Sequence, residues 1–154
     1  MKVRLSGQLA SSLVLIDPDV ADRDGLLHLF GSVFQAAGLI ADGEEVARRL
    51  LARERVMSTG IGGGIAVPHA QVPGLGRLAM AASTHPSGIP YPAVDEQPVR
   101  LTFCLVGDST TAADHLAGLA RLARLARRSD FLEGLVGAET ASDFLERLGR
   151  LEGE

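Results

Sequence analysis

The chain has no tryptophan, one tyrosine and one cysteine. A single cysteine cannot close an internal disulfide, and Cys104 lies in the apolar run Leu101–Val106, where it reads as a small buried hydrophobe. With aromatics at 4% of the residues, the core has to be built mainly from Leu, Val, Ile and Ala. No apolar stretch approaches the roughly 20 residues that a membrane-spanning helix needs. Met1-Lys2-Val3-Arg4 is followed by no signal-type apolar block. The expectation is a soluble, cytoplasmic protein that is not membrane-embedded. Basic charge is also short: 15 Lys and Arg against 19 Asp and Glu leave a net charge of -4, which does not suggest a nucleic-acid partner. Repeats, low-complexity tracts and interdomain linkers are missing too, so the 154 residues read as one domain, 1–154.

What the chain does have is a concentration of glycine ahead of one histidine. Residues Arg53–Ala70 read RERVMSTGIGGGIAVPHA. Gly60, Gly62, Gly63 and Gly64 give access to positive φ and to close backbone approach. Pro68 pushes Val67 towards an extended conformation, and Ile65-Ala66-Val67 is short, apolar and partly β-branched, as a buried strand is. The reading is a glycine loop, a short strand, a proline stop and the imidazole of His69 presented at the strand's end. Glycine amides left unshielded near an imidazole suit an anion, above all a phosphoryl group. No Gly-Lys-Ser/Thr follows, so this is not a Walker loop. The glycines lead into a strand and not a helix, so it is not a dinucleotide fingerprint.

The residues Glu54, Ile61, Gly62, Ile65, Ala66, Val67, Pro68, His69 and Ala70 together resemble the active-site signature of the type-2 EIIA domains of the bacterial phosphotransferase system, the fructose/mannitol and nitrogen-regulatory family. Leu13–Ile16, Pro98-Val99 and His115-Leu116 resemble further landmarks, and the likeness extends over about residues 11 to 150. It implies that His69 carries a phosphoryl group, that Arg53 lies beside it and helps to hold the phosphorylated site, and that His115 bonds the phosphoryl group or orients the active ring. An arginine fork matches phosphate oxygens well. Ser58 and Thr59 either cap local backbone or donate a hydroxyl to a phosphoryl oxygen, and Gly62, Gly63 and Gly64 would contribute amides. The implied reaction is a relay in which neutral His69 takes the group from phosphohistidine on HPr, or from its nitrogen-branch analogue, and passes it to an EIIB partner. The other reading is a nitrogen-branch regulator whose phosphorylation state switches binding to a target protein. Neither needs a metal or a nucleotide cofactor. A metal hydrolase built on His69, His115 and a carboxylate has no ligand spacing to support it.

Along the chain, Leu13–Ile16 reads as a first strand. Leu26, Leu27, Phe30, Val33, Phe34 and Ala37 recur at helical spacing after a cap at Asp22. A second helix runs from Asp42 to about Arg55, a strand from Leu78 to Ser83, a loop from Thr84 to Gln97, and a central strand from Val99 to Val106. The longest helix is expected from Ala113 to Arg127 with Leu116, Leu119, Leu122, Ala123 and Ala126 inward. Short helices follow at Asp130–Val136 and Ser142–Leu151, the last capped by Ser142. His28 and His85 read as surface residues. Strands separated by amphipathic helices give a three-layer α/β/α sandwich, and the resemblance implies a mixed central sheet.

Overall fold

A computed structural model describes residues 4–153. Residues 1–3 and 154, which the single-domain and leader expectations also cover, lie outside the described residues. The elements are α1 (Leu5–Gln8), β1 (Val14–Ile16), α2 (Arg23–Ala36), α3 (Gly43–Val56), β2 (Gly60–Gly62), β3 (Ile65–Ala66), β4 (His69–Gln71), β5 (Ala79–Ile89), β6 (Val99–Gly107), α4 (Ala112–Ala126), α5 (Phe131–Val136) and α6 (Ala141–Leu151). The sheet runs β1-β5-β6-β3-β2, with β4 also on β6. It is mixed: β1/β5, β3/β6 and β4/β6 are parallel, whereas β5/β6 and β2/β3 are antiparallel. No described helix is long and apolar enough to cross a membrane.

The run Val99–Gly107 is central because it is apolar on both sides, and all of it but Arg100 is buried. On one face Phe103 stacks on Phe131 of α5 and tilts against Phe144 of α6, each at 6.0 Å between ring centroids. Helices α2 and α3 cover the other face. Asp22 caps α2 by accepting from the Gly25 amide at 2.9 Å. Asp42 caps α3 by accepting from the amides of Glu44 and Glu45, and those two acids sit where the helix dipole favours them. The α2–α3 pair packs backbone to backbone at Gly31 and Gly43, where a Cβ on Gly31 would sit 2.3 Å from the Gly43 carbonyl oxygen. Phe30, Phe34, Val46 and Leu50 are fully buried there, each worth roughly 1.5–3 kcal/mol of transfer energy.

Several expectations need correction. The strand read as Leu78–Ser83 continues to Ile89, through Pro86. Pairing with β6 breaks between Thr84 and Ile89, and Pro86 sits in that irregularity, where its missing N–H costs no ladder bond. Helix α4 turns Leu122 inward with Leu119 and Ala126 packed beside the core, as expected, but its buried face is rotated to take in His115, Gly118 and Leu125 and leaves Leu116 69% exposed. The reason is Gly118, whose missing side chain lets Leu105 come within 3.0 Å of the Cβ position. Thr140, not Ser142, caps α6 by accepting from the Asp143 amide at 3.0 Å. The weakly patterned start contains α1, whose Leu5 and Ser6 amides are held by the Glu152 carboxylate.

His28 is exposed, as expected, but His85 is not a surface residue: it is 2% exposed. Its Nε2 pairs with Ser83 Oγ at 2.7 Å, and Ser83 pairs in turn with Thr102 at 2.5 Å. Burial holds the imidazole down at about 4, against a weaker upward pull from Asp17. An unfolded histidine titrates near 6.5, so between these values the unfolded chain binds the extra proton and folding weakens as pH falls. The contribution, about 3 kcal/mol, is complete above pH 6.5 and lost towards pH 4. Urea unfolding at pH 7 and pH 4.5 should therefore show a larger acid loss in the wild type than in His85→Gln. Equal losses would contradict this assignment.

Candidate functional site

Strands β3 and β4 keep one register against β6: Ile65 pairs with Leu101 and His69 with Leu105. The Val67-Pro68 step interrupts the ladder without shifting it, and the Pro68 carbonyl still accepts from the Leu105 amide at 3.0 Å. Pro68 is thus a break within one line of strand, and His69 opens β4. Paired residues share a face, so His69 lies on the Leu105 side, under α4. That helix starts just after β6 and brings in His115. The two rings meet edge to face, with centroids 5.5 Å apart and planes at 73°. Gly107 makes room for this: a Cβ there would lie 3.5 Å from His115 Nδ1 and 2.5 Å from Thr111 Oγ1.

Arg53 comes from the last turn of α3, where its Nη1 donates to the Met57 carbonyl at 2.7 Å. Arg53, His69 and His115 line one depression of about 330 Å³, together with Ala70, Gln71, Ala112, Leu116 and Leu119. Three of the residues singled out in the sequence are therefore brought together from three separate elements. His69 is half-buried. Burial is the main cause that holds its imidazole below the ordinary range, with Arg53 acting the same way; the Val67 hydrogen bond and Glu54 pull upward. His115, 7% exposed, is lowered by burial and then by His69. Both rings are neutral at pH 7. His69 Nδ1 lies 2.8 Å from the Val67 carbonyl oxygen. A carbonyl only accepts, so Nδ1 carries the proton and Nε2 keeps its lone pair. His115 Nδ1 is buried and has no partner among the described residues.

The other sequence candidates lie elsewhere. Gly62, Gly63 and Gly64 all have positive φ, of 90°, 65° and 82°, and form the turn between β2 and β3. The Gly64 carbonyl accepts from the Leu101 amide, four residues before the partner of His69, which is about 13 Å along a strand. The Gly63 amide is already donated to Asp95 at 2.9 Å. These glycines serve a tight turn and do not surround the imidazole. Thr59 is 5% exposed, and its hydroxyl is bonded to Glu54 and Tyr91, so it is not offered to a ligand. The Ser58 hydroxyl donates to the Pro92 carbonyl and accepts from the Gly60 amide at 3.0 Å, the local backbone role of the two that were open. Glu54, which a Glu beside an Arg at a helix end suggests is solvated, is 4% exposed. Its carboxylate accepts from the Thr59 amide at 3.1 Å and from the Tyr91 hydroxyl at 3.0 Å. Tyr91 escaped the sequence reading; the signal was the chain's one tyrosine placed between two prolines, Pro90 and Pro92.

Leu116, which lines the depression, is 69% exposed, and Met57, whose carbonyl holds Arg53, is 70% exposed. Val56 at the end of α3 and Ile61 in β2 are also exposed, at 81% and 45%. Ala70 lines the depression although only 7% exposed, and Val72 is buried too. Among the described residues no cluster of three or more His, Cys, Asp or Glu side chains is placed to hold a metal ion.

The family model described as the phosphoenolpyruvate-dependent sugar phosphotransferase system, EIIA 2, matches residues 8–150. A fructose-specific EIIABC component of Bacillus subtilis is 26% identical over 144 residues; this covers 94% of the chain, but the chain spans only 23% of that longer protein. A nitrogen regulatory protein of Bradyrhizobium diazoefficiens is 36% identical over 108 residues, 70% of this chain and 71% of that one. Among solved structures, the nitrogen regulatory protein IIA-Ntr of Neisseria meningitidis superposes with a TM-score of 0.86 at 26% identity, over 94% of this chain and 98% of that one. A complex of mannitol enzyme IIA with phosphorylated enzyme IIB from Escherichia coli shares the fold, with a TM-score of 0.75 at 18% identity, over 92% of this chain and 97% of that one.

Proposed function

Because this chain belongs to the EIIA type 2 family of the phosphoenolpyruvate-dependent phosphotransferase system, we propose that His69 is its phosphoryl carrier and that Nε2 is the accepting atom. The observation that carries this reading is the Nδ1–Val67 hydrogen bond, which leaves a neutral ring with its lone pair on Nε2. In the proposed step that lone pair attacks the phosphorus of phosphohistidine on HPr or a nitrogen-branch analogue. A new N–P bond forms, the donor's N–P bond breaks in line, and the donor ring takes back the electron pair. Arg53 neutralises charge on the equatorial oxygens, and His115 fixes the His69 ring edge to face. Such transfer depends on positioning and charge stabilisation more than on further covalent work. A half-buried ring in an open depression suits a donor that must bring its own imidazole close. The exposed Leu116 and Met57 supply the apolar contact of a small, transient interface.

Two downstream uses follow. Onward transfer to an EIIB partner makes the chain a sugar-transport component. The likeness to nitrogen regulatory proteins, 36% identical in one case and with a TM-score of 0.86 in another, favours a regulator whose His69 phosphorylation switches its binding to a target protein. Incubation with enzyme I, HPr and labelled phosphoenolpyruvate tests the shared step. Label in the chain supports it, and none, with HPr itself labelled, contradicts it. Loss of that label to added EIIB separates transport from regulation.

A further inference from the structure

Behind His69 stands a buried carboxylate that the transfer step does not use. Glu54 is 4% exposed, and no cation pairs with it among the described residues. A buried anion is costly unless hydrogen bonds satisfy it. Here they come from the Thr59 amide, the Thr59 hydroxyl and the Tyr91 hydroxyl. Tyr91 is 5% exposed and also lies 2.9 Å from Thr59 Oγ1. The bonds continue beyond the carboxylate. The Thr59 carbonyl accepts from the Val67 amide at 3.0 Å, and the Val67 carbonyl accepts from His69 Nδ1 at 2.8 Å. One residue, Thr59, therefore lies between the Glu54–Tyr91 anchor and Val67, whose carbonyl selects the His69 tautomer.

The same tyrosine belongs to a segment stitched along the signature. The Ser58 hydroxyl donates to Pro92, Gly60 bridges Ala93, and Asp95 accepts from Gly63. Gly60 has no room for a side chain, since its Cβ would lie 2.4 Å from the Pro92 carbonyl oxygen. Residues 91–95 thus run as a strap alongside β2, and Tyr91 is its one side chain that reaches the buried carboxylate.

We propose that Tyr91, through Glu54 and Thr59, is a positioning residue for His69, holding the Val67 carbonyl where it keeps the proton on Nδ1 and the lone pair on Nε2. It rests on the reading of His69 as phosphoryl carrier only for its kinetic consequence; the placement of the ring proton can be read without any phosphorylation. Tyr91→Phe removes the hydroxyl and keeps the ring. Ser83→Ala is the control, because Ser83 also makes buried side-chain hydrogen bonds, to His85 and Thr102, but is off this chain of bonds.

The test is long-range ¹H–¹⁵N correlation of the His69 ring in the unphosphorylated proteins, together with the initial rate of labelling from phospho-HPr. In Tyr91→Phe the His69 ring should move towards a mixture of tautomers and labelling should slow about 10-fold or more, since small misplacements of a reacting group cost that much. Ser83→Ala should leave the His69 tautomer and the rate unchanged. Glu54→Gln, which keeps the side-chain volume but loses one carboxylate oxygen, should shift the ring in the same sense and serves if Tyr91→Phe does not fold. Wild-type His69 ring signals in Tyr91→Phe or Glu54→Gln would overturn the proposal, as would an equal shift in Ser83→Ala. If the wild type takes no label at all, the carrier reading fails, and the tautomer measurement still decides the role of Tyr91.

Discussion

His69→Ala should take up no phosphate from phospho-HPr, whereas the wild type should acquire one acid-labile, base-stable phosphate per chain. The expectation is complete loss because the other histidines cannot stand in. His28 is on the exposed face of α2, next to Glu44. His85 is buried within the Ser83–Thr102 cluster. His115 reaches the depression but is only 7% exposed, too enclosed for in-line approach by a protein donor. The wild-type rate should also hold as pH falls from 8 to about 6.5, the ordinary histidine value. Burial keeps the His69 ring below that value, and only protonation removes the attacking lone pair, so the fall comes at lower pH. Labelling of His69→Ala at the wild-type level, measured by phosphate incorporation, would remove His69 from the chemistry.

Arg53→Ala and His115→Ala should each slow labelling by about 10- to 1000-fold while the chain stays folded, the range for groups that stabilise charge without being the nucleophile. Arg53 is held at the rim by the Met57 carbonyl, so its guanidinium is placed before any phosphate arrives. Arg53→Lys should recover only part of the rate, because a lysine cannot offer two parallel N–H bonds to phosphate oxygens. His115 supports the His69 ring edge to face at 5.5 Å. Stopped-flow or quenched labelling, with circular dichroism to confirm the fold, checks both. Wild-type rates in either variant would show that the residue plays no part.

The fold was legible where local chemistry and packing agree. The caps at Asp22 and Asp42, the continuous apolar run of β6 and the alternation of strands with helices all point to the observed sandwich. Of the site, the assembly of Arg53, His69 and His115 was legible only through the resemblance, since nothing local to His115 announces that it reaches another element. The glycines misled for a physical reason. Clustered glycine signals positive φ, which a hairpin turn needs as much as an anion site does, and only the register against β6 shows that the Gly64 carbonyl meets Leu101, four residues before the partner of His69. His85 and Glu54 misled in another way: polar residues at a strand break and a helix end look solvated until Thr102 and Tyr91 arrive from distant sequence to complete the clusters begun by Ser83 and Thr59 nearby. The α4 face was misjudged at Leu116, not at Leu119, Leu122 or Ala126, because the decisive contact is the absence of a side chain at Gly118.

On the proposed reading the phosphoryl group resides on Nε2 of His69, because Val67 holds the proton on Nδ1. That placement is tested most directly by ¹⁵N and ³¹P NMR of the freshly phosphorylated, ¹⁵N-histidine-labelled chain. The expected result is a single phosphohistidine, on His69, with the N–P bond at Nε2 and the Nδ1 proton retained. Phosphate on Nδ1 of His69, or on any other side chain, would contradict it.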